Sequence, residues 1–180
     1  GKSISPTRHP AMNEQLFDKA DFLKYLFDTV PSFLFVVDHD VRIFHLNAAA
    51  SKLLRSGKET VLLRRGGDVL HCIHSIETPE GCGRAAHCRN CVIRSSVDKA
   101  FRGESIHRET TKMELLYEGV VTELYLMVTA RALAYEGREF VLLIMEDVTK
   151  LKRTEGELQR HAAQLEAARP WANRKPPVSA

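Results

Sequence analysis

The sequence predicts an α+β domain: a five-stranded antiparallel sheet with helices on one face, framed by an N-terminal and a C-terminal helix. Three observations predict it. Two short apolar runs joined by His39-Asp40 open the domain, and three longer strand-like runs, divided by Glu118-Gly119 and Glu136-Gly137, close it. The segments between strands two and three, and those at either end, carry helical rather than alternating spacing. Strands in runs, with the helices collected between them, belong to antiparallel α+β architectures.

Residues 1–12 hold two prolines and little periodicity and read as a flexible lead-in. From Asn13, which can cap a helix, Leu16, Ala20, Leu23, Phe27 and Val30 recur at three- and four-residue steps, so 13–30 is predicted helical, with Pro31 ending it. Phe33–Asp38 is a buried strand and Arg42–Asn47 alternates as its hairpin partner. Asn47 can cap a short helix through Ala48–Leu54. Gly66-Gly67 reads as a chain break. Val92–Phe101 is predicted helical with Val92, Val97, Ala100 and Phe101 on its apolar face, and Gly103 stops it. Ser105–Leu116, Val121–Tyr135 and Arg138–Val148 are the closing strands, and the very apolar Phe140–Met145 should be central. Lys150–Ala168 is helical again. Val148, Leu151, Leu158, Ala162 and Leu165 approach a heptad that Glu155 interrupts, which predicts a short coiled coil. Pro170 opens a basic, proline-containing flexible tail, 170–180.

Composition excludes several function classes. With 180 residues, 44% hydrophobic content and 26 basic against 23 acidic side chains, the net charge of +3 is too mild and too evenly spread for a nucleic-acid surface. No run reaches the length of a membrane span, and no signal peptide is visible. The chain begins at Gly1 and reads as a segment of a longer protein. No Ser/His/Asp order, phosphate loop or zinc-protease motif is present, and Gly66-Gly67 is too short for a phosphate cradle.

The chemistry-bearing residues are the cysteines. All four, Cys72, Cys82, Cys88 and Cys91, fall in one 20-residue window with spacing C-x9-C-x5-C-x2-C. Cys88 and Cys91 are spaced so that both sulfurs can bind one metal from a single turn. Gly81 and Gly83 free the backbone around Cys82, and Arg84, Arg89 and Arg94 are expected to surround the site with positive charge that favours thiolates. Four thiolates suit tetrahedral zinc or an iron–sulfur cluster, and a reversible disulfide switch or inert buried thiols are the other readings. His71, His74 and His87 lie beside the cysteines as possible alternative ligands, although a surface or packing role is the ordinary one for each. His45 lies in a strand with a structural role expected. His107 and His161 carry no functional argument.

Three stretches resemble the PAS domain family. Leu34–Asp38 through Asn47-Ala48 is similar to its opening hairpin, with Val41 where glycine is usual. Glu146–Leu158 is similar to its exit signature, Asp-x-Thr followed by a charged helix. Gly81-Cys-Gly83 through Cys88-Arg-Asn-Cys91-Val-Ile-Arg94 resembles a cysteine-bearing subgroup found in bacterial sensors such as histidine kinases of two-component systems. The resemblance covers roughly residues 28–158. It implies a PAS fold with a sensor domain over 31–149, a coiled-coil-like signalling helix over 150–169, a cofactor held between sheet and helices, and no catalysis within this segment. It also implies a homodimer through the N- and C-terminal helices, an output domain outside the segment, a cytoplasmic location, and no nucleic-acid or membrane partner here. Asp147 and Thr149 are the signal-transfer hinge.

Within that frame the cysteines read as ligands of an iron–sulfur cluster, 4Fe-4S or 2Fe-2S, reporting redox state, oxygen or nitric oxide. Zinc is the alternative, pinning the segment from Leu70 to Cys91. Haem fits less well, because Val92 stands where covalent attachment needs histidine and the family's haem histidine is missing from Val92–Phe101. Flavin fits less well too. Asn90-Cys91 echoes the photoreceptor branch, but Val92 and Arg94 stand where that branch has Arg and Gln.

Overall fold

The computed structural model describes residues 20–168. The predicted lead-in, the Asn13 cap, the first turns of the N-terminal helix, Pro170 and the tail lie outside the described residues. The elements are α1 (Ala20–Thr29), β1 (Phe33–Val37), β2 (Ile43–Leu46), α2 (Ala48–Leu54), α3 (Lys58–Val61), α4 (Gly66–Val69), α5 (Val92–Phe101), β3 (Ile106–Tyr117), β4 (Val120–Tyr135), β5 (Arg138–Asp147) and α6 (Thr149–Ala167). Two single 3-10 turns, Ile73–Ser75 and Ala86–Asn90, interrupt the stretch between α4 and α5.

The five strands form one antiparallel sheet in the order β2-β1-β5-β4-β3, so the most apolar strand is central, as its composition requires. β5 pairs with β1 from Phe33 opposite Met145 to Val37 opposite Val141, and with β4 from Leu126 opposite Asp147 to Tyr135 opposite Arg138. Burial alternates along β4: Leu124, Leu126, Val128 and Ala130 point inward, while Tyr125, Met127 and Thr129 are only half-buried. That period of two puts one sheet face in the core. α5 lies against β3, β4 and β5 on it. Both closing hairpins turn on two consecutive left-handed residues, Glu118-Gly119 and Glu136-Gly137, the geometry that matches strand twist.

Asn47 ties the opening half together. It is fully buried and every polar atom of its side chain is used. Its Oδ1 accepts from the Leu34 N–H (3.1 Å) and from the Ala50 N–H (3.0 Å), and its Nδ2 donates to the carbonyls of Val30 (3.0 Å) and Ser32 (2.9 Å). One side chain thus caps α2 and fixes the exit of α1 and the entry to β1. Asp28 adds a carboxylate that accepts from the Ala48 N–H at 2.9 Å. At the other end, Asp147 accepts from the Thr149 N–H and the Thr149 hydroxyl accepts from the Tyr125 N–H, both at 2.9 Å. The start of α6 is thereby pinned to β4. Leu151, Leu158 and Leu165 then stand on α6 at heptad spacing and are all exposed. Among the described residues no helix is long and apolar enough to cross a membrane.

Two expectations need correction, and one element, α3, is additional. Gly66-Gly67 does not break the chain but opens α4: the Gly66 N–H donates to Val41 O and Gly66 O accepts from the Leu70 N–H, each at 2.9 Å. On α5 Val97 and Ala100 are buried and Phe101 packs on the core as expected, but Ile93 and Ser96 are buried as well and Val92 is only half-buried. The one-turn helix α3 has no periodic signal and was not expected.

Asn47→Ala leaves two N–H groups and two carbonyls without partners. It is expected to lower unfolding free energy by about 3 kcal/mol in chemical denaturation, whereas a loss under about 1 kcal/mol would contradict this account of the hub.

Candidate metal centre

The stretch between α4 and α5 is short of regular structure but not of constraints. Cys72 follows α4 and pairs by an isolated antiparallel bridge with Leu115 of β3. Cys82 lies in a turn between two left-handed glycines, Cys88 lies in the second 3-10 turn, and Cys91 is the N-cap of α5. Three stretches of chain, the last carrying both Cys88 and Cys91 on one turn, therefore deliver four half-buried thiols, none in a disulfide, to the lining of a cavity of about 180 Å³ between sheet and helices. Phe35, Val37, Ile43, Leu70, Met113 and Met145 supply apolar lining.

Close approach explains Gly67 and Gly83. A Cβ on Gly67 would fall 2.6 Å from Cys82 Sγ and 3.6 Å from Cys72 Cβ, so these two cysteines close around it. A Cβ on Gly83 would fall 2.2 Å from Arg94 Cζ, and Gly83 has φ of +90°, so a side chain is excluded on both counts. With that space clear, Arg94 Nη2 donates to the Cys82 carbonyl (3.0 Å) and reaches Cys82 Sγ (3.5 Å). The Gly83 N–H donates to Cys88 Sγ at 3.3 Å, and the Cys82 N–H donates to Asp68 Oδ1 at 2.7 Å. Backbone and guanidinium donors aimed at sulfur favour the thiolate.

Arg94 is anchored from behind by Asp40, in the turn of the β1–β2 hairpin. Its Nη1 meets Asp40 Oδ1 at 3.1 Å, and Arg65 Nε meets Oδ2 at 2.6 Å. Burial pushes the Asp40 carboxyl up, but hydrogen bonds from Arg65 and Arg94 outweigh it and hold the group below the usual carboxylate range. Burial pushes the Cys72 and Cys91 thiols up, and the neighbouring cysteines push both in the same direction.

The structure brings Cys72, Cys82, Cys88 and Cys91 together on one cavity. It separates the three arginines expected around them: Arg94 touches a sulfur, Arg84 reaches Asp40 Oδ2 at 3.4 Å, and Arg89 is exposed. His71 turns away, its ring edge-on to Tyr117 at 5.0 Å and its carbonyl accepting from the Leu116 N–H. His74 and His87 line the same cavity as the cysteines and stack on each other at 4.4 Å. Asp147 and Thr149 are not in the cavity lining; they form the β5–α6 junction. His45 stacks on Phe27 at 5.2 Å, and burial lowers its pKa. Sequence reasoning missed Asp40, Asp68 and Gly67 as parts of the site. Asp40 looked like turn chemistry, and the partners of the other two lie 14 and 15 residues away in the chain.

No family model and no curated protein matches the chain by sequence. Solved structures match it by shape. The PAS domain of a protein from Colwellia psychrerythraea superposes with a TM-score of 0.50 at 18% identity, covering 72% of this chain and 97% of that one. An RNA-binding light-oxygen-voltage receptor superposes with a TM-score of 0.56 at 17% identity, covering 90% of this chain and 41% of that one. A PAS domain from a two-component sensor histidine kinase has a TM-score of 0.47 at 12% identity, covering 75% and 98%. The α+β architecture and the first two of these likenesses establish the PAS fold.

Gly67→Ala is expected to displace Cys82 and cut metal affinity about tenfold to hundredfold, the size of effect seen when a group supporting a metal ligand is lost. Gly57→Ala, whose Cβ meets nothing within 4 Å, serves as the control. Equal metal content per chain in the two variants after desalting would refute the packing argument.

Proposed function

We propose that this PAS-fold chain is the sensor module of a signal-transduction protein, that Cys72, Cys82, Cys88 and Cys91 hold an iron–sulfur cluster, and that it reports redox state, oxygen or nitric oxide. The presence of four thiols from three stretches of chain on the lining of one cavity carries this reading. The donor set fits the group: soft thiolates suit iron–sulfur clusters, and N–H and guanidinium donors to sulfur are the contacts that tune them. A cluster supplies a centre whose charge changes on electron transfer and which breaks down under oxygen or nitric oxide.

The chain's own residues supply the route out. Arg94 is shared between Cys82 and Asp40, so a change of charge at the sulfurs shifts its balance toward or away from the β1–β2 hairpin. Arg94 and Cys91 both belong to the start of α5, which packs on β4. β4 in turn holds Thr149 at the start of α6 through Tyr125. α6 presents Leu151, Leu158 and Leu165 for pairing with a second copy and leads toward an output domain. A sensor needs this kind of two-state contact between a charged site and an exit helix.

Protein isolated without oxygen is expected to be brown, with visible absorption that bleaches in air, and Cys88→Ser is expected to lose the colour. A colourless anaerobic preparation carrying one zinc per chain would overturn the proposal in favour of a structural site.

A further inference from the structure

The two histidines beside the cysteines take part in an arrangement of their own. His74 Nδ1 is hydrogen-bonded to Glu77 Oε1, and His87 Nδ1 lies 3.3 Å from Glu77 Oε2. The two imidazoles are nearly parallel, 15° apart, with centroids 4.4 Å from each other. One donor atom from each of the three residues falls within 4.8 Å of the other two. Ligands at 2.0–2.2 Å around a tetrahedral ion stand roughly 3.3 Å from one another, so a cation here draws the three donors together and turns the two near-parallel imidazoles toward a common point.

We propose that His74, Glu77 and His87 form a second metal site, separate from the thiolates, for a borderline divalent cation of the zinc, cobalt or nickel class. The donor chemistry sets that class: two imidazoles and one carboxylate, with no sulfur, select against soft monovalent copper and against hard calcium or magnesium. Three protein ligands leave a fourth position open to water, and all three side chains reach solvent, so the ion exchanges with the medium. His74 lies two residues after Cys72, and His87 directly precedes Cys88. A bound ion therefore clamps the turn that carries Cys72 to the turn that carries Cys88 and closes the partly exposed 76–86 loop. Occupancy of this site governs how firmly the cysteine wall is held. The proposal stands on its own geometry and does not depend on what the cysteines bind.

Cobalt(II) is the probe, titrated into the full chain under argon. Cobalt on nitrogen and oxygen lacks the intense sulfur-to-metal charge-transfer absorption of cobalt on cysteine, so the two sites are counted separately and iron content reports on the cluster independently. Wild type is expected to take up one equivalent of cobalt without sulfur charge transfer, His74→Ala/His87→Ala to lose that equivalent, and Glu77→Gln to bind it at least tenfold more weakly. Zinc is expected to protect the 76–86 loop from protease in wild type and not in the double variant. Cobalt uptake and protease protection unchanged in both variants, or cobalt uptake that is wholly sulfur-ligated, would overturn the proposal.

Discussion

One guanidinium joins the cysteine loop to the opening hairpin, and the arrangement around it depends on both. Arg94 is largely out of solvent, and it meets an acid on one side and a sulfur on the other. A cation in that position requires both partners, because an unpaired charge taken from water is costly and two imperfect partners share that cost. Asp40 reaches it only because the β1–β2 hairpin turns where it does, with Asp38 Oδ1 accepting from the N–H groups of Asp40 (2.9 Å) and Arg42 (2.8 Å). Cys82 reaches it only because Gly67 and Gly83 leave room and Asp68 holds its N–H. Arg94 thus ties the hairpin and the cysteine loop to α5, while the Gly66 N–H on Val41 O and Asp68 on the Cys82 N–H tie α4 to the same two.

That arrangement gives a physical meaning to the long irregular stretch between α4 and α5. A loop of this length without its own hydrophobic pattern is ordered either by a functional site or not at all. Here the loop is ordered by polar contacts to its neighbours and by four thiols facing a cavity, while the sheet supplies a rigid back wall centred on β5. Arg65 extends the polar frame, donating to Asp40 and to the carbonyl of Glu80 (2.9 Å). The site is built on the sheet's buried face. The opposite face keeps half-buried apolar side chains at Val36, Met127, Leu142 and Ile144.

What the sequence disclosed follows from the range of each signal. The hairpins, the central strand and the caps at Asn47 and Gly103 were legible because turn residues and two- or four-residue periods are local. The clustering of the four cysteines was legible for the same reason. On α5 periodicity found Val97, Ala100 and Phe101 but not Ile93 and Ser96, since a ten-residue helix leaves the edges of its apolar face poorly defined. Gly66-Gly67 read as a break because the reason for Gly67 is Cys82, fifteen residues on. Arg84 and Arg89 looked equivalent to Arg94 until the fold sent one to Asp40 and the other to solvent. Glu77 gave no signal, since a lone acid in a polar loop is ordinary and its meaning depends on the stacking of His74 and His87.

X-ray absorption at the iron edge of the anaerobic, full-length chain tests the central claim most directly. The account predicts an iron shell of sulfur only, with a resolved second shell of neighbouring iron that disappears when Cys88 and Cys91 are replaced by serine. Iron found only with nitrogen or oxygen neighbours, or no iron alongside a zinc bound by four sulfurs, would contradict it.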